Sequence, residues 1–115
     1  MILTGPDVTV GPRAALALAM ILHELATNAV KYGAFSNAEG RILLSWQVDD
    51  GEDPQLEMSW REEGGPLVEP PAKRGFGSRL IASGLTGDGA TTIDYRPAGL
   101  HVVLRAPLQI VQEAS

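Results

Sequence analysis

The sequence predicts an α+β fold: a two-layer sandwich with helices packed on one face of a mixed, mainly antiparallel sheet. A long helical period near the start, two later pairs of alternating segments with turn residues inside each pair, and a glycine turn opening a short helix between the pairs lead to it.

The helical period covers Pro12 to Ala34, PRAALALAMILHELATNAVKYGA. At about 100° per residue, Leu18, Leu22, Leu25 and Ala29 fall on one arc, and Glu24, Asn28 and Lys31 share another arc about 60° wide. Gly11 and Pro12 open the helix, since proline in the first turn gives up an N–H that has no helical partner. Gly33 is expected to end it in a left-handed conformation. Upstream, Met1 to Leu3 and Val8 to Val10 read as short extended segments divided by the turn pair Gly5 and Pro6.

After a loop from Ala34 to Gly40, Arg41 to Asp49 (RILLSWQVD) and Leu56 to Trp60 (LEMSW) read as strands. The DGEDP between them supplies the turn of an antiparallel hairpin. Glu63 to Arg74 holds Gly64, Gly65, Pro66, Pro70 and Pro71, a composition that neither helix nor strand survives, and reads as a surface loop. Gly75 to Ser83 (GFGSRLIAS) is a glycine turn entering a short helix. Thr91 to Arg96 and Leu100 to Ala106 then form a final hairpin around Pro97, Ala98 and Gly99.

At 115 residues the expectation is one compact domain, spanning 1–115. The apolar residues are spread throughout rather than gathered into a run of about 20 that would cross a bilayer. MILTGPDVTV lacks the basic and apolar regions of a signal peptide. With no cysteine there is neither disulfide nor thiolate chemistry, which suits a cytoplasmic location. Nine basic against 14 acidic residues give a net charge of -5, which argues against a general nucleic-acid binder. Acidic residues crowd the stretch from Asp49 to Glu69, and Lys73, Arg74 and Arg79 follow it. An anionic ligand is therefore expected near the latter, with a metal ion offsetting the acidic surroundings.

The HE of His23-Glu24 is not a zinc-protease helix, because Thr27 stands where H-E-x-x-H needs its second histidine. His23 reads as a helix residue bonded to a neighbour rather than as a phosphoacceptor. Glu24, Asn28 and Lys31 put a carboxylate, a carboxamide and an ammonium within reach of one ligand. An Asn carbonyl can ligate Mg²⁺, a carboxylate one turn earlier can orient a nucleophile, and a lysine can meet phosphate as a point charge. Taken alone, however, the spacing favours a solvated helix face. Glu62 to Pro66 (EEGGP) comes after a strand and reads either as an acidic turn or as a carboxylate facing the amine of adenine. Gly75-Phe76-Gly77-Ser78, opening a helix, is a natural but unspecific phosphate site, with Arg79 as a further contact. Trp46 and Trp60 read as strand core residues, and His101 as a strand residue of no special role.

The order of these pieces is more specific than any one of them. HELATNAVKYGA, WREEGGP, GFGSRLI and YRPAGLHVVLRAPL together resemble the ATP-binding domain shared by sensor histidine kinases, type II topoisomerases, a heat-shock chaperone and mismatch-repair ATPases. Within that superfamily the chain is most similar to the HWE group of bacterial histidine kinases, with His23 in the helix motif and Trp60-Arg61-Glu62 in the next. The resemblance implies a Bergerat-type ATP-binding fold that uses ATP and Mg²⁺ in a two-component system. It implies Asn28 as the Mg²⁺ ligand, Glu24 as the acidic group assisting phosphoryl transfer, Lys31 at phosphate and Tyr32 beside the nucleotide. Glu62, in place of the usual aspartate, would read the adenine amine, with Gly64 letting the base approach. Gly75 and Gly77 would present N–H groups to phosphates, with Ser78 and Arg79 beside them. The pattern departs from D-x-G-x-G at Glu62 and at Pro66.

The partners implied are a phosphoacceptor and dimerisation histidine domain of a parent kinase, itself a homodimer, and a downstream response regulator. Neither nucleic acid nor membrane contact by this domain is expected, and the phosphorylated histidine is expected to lie outside this chain. A nucleotide-responsive binding module and a serine-kinase anti-sigma factor are alternatives on the same fold.

Overall fold

The computed structural model describes residues 1–36, 39–65, 81–86, 90–97 and 99–113. Gly75, Gly77, Ser78 and Arg79, with the glycine turn expected there, lie outside the described residues. The described elements run β1 (Ile2–Thr4), α1 (Pro12–Lys31), a 3₁₀ turn (Ala34–Ser36), β2 (Arg41–Asp49), β3 (Gln55–Glu63), β4 (Thr91–Arg96), β5 (Gly99–Pro107) and the single turn α2 (Leu108–Val111). Ile81 to Ser83 are helical.

The five strands form one sheet in the order β1-β2-β3-β5-β4. β1 runs parallel to β2, and every other pairing is antiparallel, so the sheet is mixed and mainly antiparallel as expected. Alternation puts Leu56, Met58, Trp60 and Glu62 of β3 on the inner face and Glu57, Ser59 and Arg61 on the outer. Register carries this across the sheet: Leu44 faces Trp60, and Trp60 and Ile93 both pair with Val102. Onto this face α1 lays Ala14, Ile21, Leu25 and Ala29, all buried, at the helical spacing that makes one stripe. Trp60 is among the most completely buried large side chains, with Ile21, Leu25, Ile42, Val102 and Leu104. Each such burial contributes roughly 1.5–3 kcal/mol of apolar transfer. By length and composition α1 could also cross a membrane, but here its apolar stripe is used as a core stripe.

Several expectations are corrected. α1 ends at Lys31 with Tyr32 at φ -131° as its cap, and Gly33 is not among the glycines of positive φ, which are Gly64, Gly84 and Gly99. The helix is closed instead by the Tyr32 and Gly33 N–H groups donating to the Asn28 and Ala29 carbonyls. β3 continues three residues past Trp60, so Glu62 lies within a strand and not in the turn after it. Val8 and Val10 are not in a strand but pack against the core as half-buried residues. Trp46 is only half-buried, and its indole N–H donates to the Pro6 carbonyl at 2.6 Å, tying the N-terminal segment to β2.

The outer face is polar. Arg105 pairs with Glu57 at 2.7 Å, Arg96 with Asp94 at 2.6 Å and Arg41 with Glu63 at 3.5 Å. Such exposed pairs contribute little to stability, about 0–1 kcal/mol each. His101, half-buried on this face, has Nε2 2.9 Å from Ser59 Oγ. Burial, then Arg96 and Arg61, lower its pKa from the ordinary 6.5 against the opposing pull of Asp94.

The unfolded chain therefore holds the His101 proton more tightly than the folded one. This contribution to stability is complete above the ordinary histidine value and is lost as pH falls toward the lowered folded value. The expected result is that, in urea unfolding followed from about pH 7.5 to about pH 5.5, the native midpoint falls more steeply than that of His101→Gln. Parallel pH profiles would show that His101 is not linked to folding. Gly99, at φ 139°, gives a second prediction, because a Cβ there would overlap the Glu62 backbone oxygen. Gly99→Ala is expected to cost at least about 2 kcal/mol in the same assay, and an unchanged midpoint would contradict the packing described.

Candidate nucleotide site

Glu62 decides where the candidate site lies. It is 2% exposed, and no other charged residue is buried among those described. A carboxylate taken out of water costs several kcal/mol unless donors meet it, and two do. The Trp60 indole N–H donates to Oε2 at 3.0 Å, and the Ala34 backbone N–H donates to Oε1 at 2.8 Å. The first bond follows from strand geometry, since residues two apart share a face. The second depends on the chain leaving α1 at Lys31 and passing Gly33, where a Cβ would overlap Glu62 Oε1. Gly33 is needed for close approach and not for a left-handed turn.

The last turns of α1 bring the other candidates to the same end of the sandwich. Asn28, Lys31 and Tyr32 precede Ala34 by only a few residues, and Ala34 rests on Glu62. Glu24 and Asn28 are half-buried, and Lys31 and Tyr32 are exposed, Tyr32 by 65%. Among the described residues, no side-chain hydrogen bond or ion pair engages Glu24, Asn28 or Lys31. A half-buried carboxylate and carboxamide on one arc, neither with a side-chain partner among the described residues, are available to a ligand. Lys31 in the last turn is also placed favourably for the helix dipole. Gly64, at φ 73°, turns the chain directly after β3. The structure thus puts Asn28, Lys31, Tyr32, Glu62 and Gly64 at one end of the sandwich, with Glu24 one helical turn before Asn28. His23 is exposed, and its backbone carbonyl accepts the Thr27 hydroxyl at 2.8 Å.

Two participants are not evident in a reading of side chains one at a time. The Ala34 N–H is a backbone donor without a sequence signature, and the Trp60 indole is a polar partner as well as a core ring. Their signal was the i, i+2 placement of Trp60 and Glu62 together with the glycine before Ala34. A separate apolar cavity of about 380 Å³, lined by residues that include Leu18, Leu22, Trp46 and Met58, holds none of the candidate site residues.

Among curated relatives, a blue-light-activated histidine kinase of Brucella anthropi is 44% identical over 108 residues, covering 91% of this chain and 22% of the relative. One of the same description from Brucella ovis is 39% identical over 109 residues, covering 92% and 22%. The chain is a histidine-kinase relative. It spans about a fifth of the length of these proteins, and it carries His23 and Trp60-x-Glu62, the residues for which the HWE group is named. Among solved structures, the histidine kinase domain of the Erythrobacter litoralis blue-light activated histidine kinase matches with a TM-score of 0.67 at 18% identity, over 96% of this chain and 56% of that one. A second structure of the Erythrobacter litoralis kinase matches with a TM-score of 0.65 at 18% identity, over 93% and 34%. These likenesses establish the fold as that of a histidine kinase domain. No family model matches the chain.

If the Glu62 carboxylate is placed as described, Gly33→Ala is expected to displace it and weaken the Trp60 bond. Near-ultraviolet circular dichroism would register a changed indole environment with the far-ultraviolet spectrum retained. An unaltered near-ultraviolet spectrum would contradict the close approach.

Proposed function

We propose that this chain, as one domain over 1–115, is the ATP-binding catalytic domain of an HWE-type sensor histidine kinase. It holds Mg-ATP and delivers the γ-phosphoryl group to a histidine outside this chain. The observation that carries the reading is the edge of Glu24, Asn28 and Lys31 on α1, without side-chain partners among the described residues and ending beside the buried carboxylate of Glu62, in a fold shared with histidine kinase domains.

The amide oxygen of Asn28 is a donor that suits Mg²⁺ shared with phosphate oxygens, and the Glu24 carboxylate one turn earlier serves the transfer step. When bound, the metal offsets phosphate charge. Asn28 is its ligand in this reading, and Lys31 adds a fixed positive charge for the phosphate tail. Glu62 accepts from the exocyclic amine of adenine, Gly64 lets the base approach, and Tyr32 packs beside the nucleotide. Gly75, Gly77, Ser78 and Arg79 keep the phosphate-facing role that their motif implies. In the transfer itself an acceptor imidazole nitrogen attacks the γ-phosphorus, the bond to the β–γ bridging oxygen breaks, and ADP leaves. In this reading Glu24 orients the imidazole and takes up its N–H proton. Most of the catalysis asked of the domain is positioning and charge stabilisation.

The partners in this reading are the phosphoacceptor and dimerisation domain of a homodimeric parent kinase and, downstream, a response regulator, all in the cytoplasm. Calorimetric titration with Mg-ATP tests the proposal, and no binding at millimolar nucleotide would sink it. Asn28→Ala is expected to lose Mg-dependent nucleotide binding, and normal binding would refute the metal assignment. Glu24→Gln is expected to keep ATP binding and to slow transfer to an added acceptor domain by on the order of 10²-fold. Equal loss of binding would instead make Glu24 a ligand of the ground state.

A further inference from the structure

We infer that Trp60 is a positioning residue for base recognition: with the Ala34 N–H, its indole N–H fixes the Glu62 carboxylate as a preset acceptor for a 6-amino purine. The inference rests on the reading of Glu62 as the base-facing group. A free glutamate has several rotatable bonds, and freezing them when a ligand arrives weakens binding. Here the carboxylate is held before any ligand arrives. Each oxygen takes one donor, Oε2 from Trp60 and Oε1 from Ala34, while a carboxylate offers about four lone-pair sites. Acceptor capacity therefore remains.

Trp60 suits this task because an indole N–H is donor only and its ring is 2% exposed, so neither water nor a change of role competes with the bond. Ala34 is held by the exit of α1, and Trp60 by its register between Leu44 and Val102. The two donors thus come from the helix layer and the sheet layer, and the carboxylate cannot turn without losing one of them. A purine with an amine at C6 donates to such a group. One with a carbonyl there presents an acceptor to an acceptor and is rejected.

Trp60→Phe keeps an aromatic ring in the core and deletes the donor. ATP affinity is expected to fall roughly fivefold to tenfold, the scale of one hydrogen bond to a charged group. The affinity for purine riboside triphosphate, which has hydrogen at C6, should hold. Equal losses for both nucleotides, or a loss for neither, would overturn the role of Trp60, since a merely structural effect does not distinguish them. Glu62→Gln separates the underlying reading. If it leaves the ATP-to-GTP preference intact, Glu62 does not read the base. If it removes that preference while Trp60→Phe does not alter it, only the positioning role fails.

The unmodified chain supplies a measurement independent of any folding defect. It has two tryptophans, so Trp46→Phe assigns their two indole proton resonances. The Trp60 resonance is expected to shift on adding Mg-ATP and to stay with purine riboside triphosphate. The same response to both nucleotides would overturn the inference.

Discussion

A single buried carboxylate sets the constraint on which the site end of this molecule depends. Glu62 is 2% exposed and stays inside because Trp60 and Ala34 meet its two oxygens. Losing either donor would leave a charge-bearing group short of a partner in a medium that solvates it poorly. The requirement reaches beyond the three residues. A slip of β3 by one position would turn Arg61 inward and Glu62 out. A longer α1 would absorb the Ala34 N–H into helical bonding and take it from Glu62. Helix length and strand register are thus coupled through one side chain.

The same constraint orders the proposed ligand contacts. Asn28 and Lys31 stand in the last turns of α1, directly before the chain bends through Gly33 to Ala34. Fixing Ala34 on the sheet therefore fixes the end of the helix that carries the metal and phosphate candidates. In the proposed reading the base end and the phosphate end of the nucleotide meet one rigid assembly.

Much of the fold was legible because alternation and helical period are direct images of burial. Arg41 to Asp49 and Thr91 to Arg96 match β2 and β4 residue for residue. β3 was read short for a physical reason: Arg61, Glu62 and Glu63 look like the polar end of a strand, and hydropathy patterns treat an inward carboxylate as a break. The period of two in fact runs from Leu56 through Glu62. Gly33 was read as a left-handed helix stop because that is glycine's commonest use there, whereas its missing side chain is what this chain requires. The helix edge was visible as a spacing, but spacing alone does not say whether Glu24, Asn28 and Lys31 meet protein partners, and among the described residues their side chains meet none. The Ala34 N–H, a backbone group, was not legible at all.

These relations also bear on why position 62 carries glutamate where most of the wider superfamily resembled by this chain has aspartate. Shortening the side chain by one methylene would draw the carboxylate back by about 1.5 Å. Bonds now at 3.0 and 2.8 Å could not both survive that change with backbone positions kept, because hydrogen bonds weaken steeply beyond their usual range. Tryptophan at 60, glutamate at 62 and a glycine at 33 are therefore one device with three parts: a donor on the strand, an acceptor long enough to span the layers, and a gap in the chain through which it reaches Ala34. The Trp-x-Glu spacing follows from the strand's period, and Gly33 from the thickness of a side chain that the site has no room for.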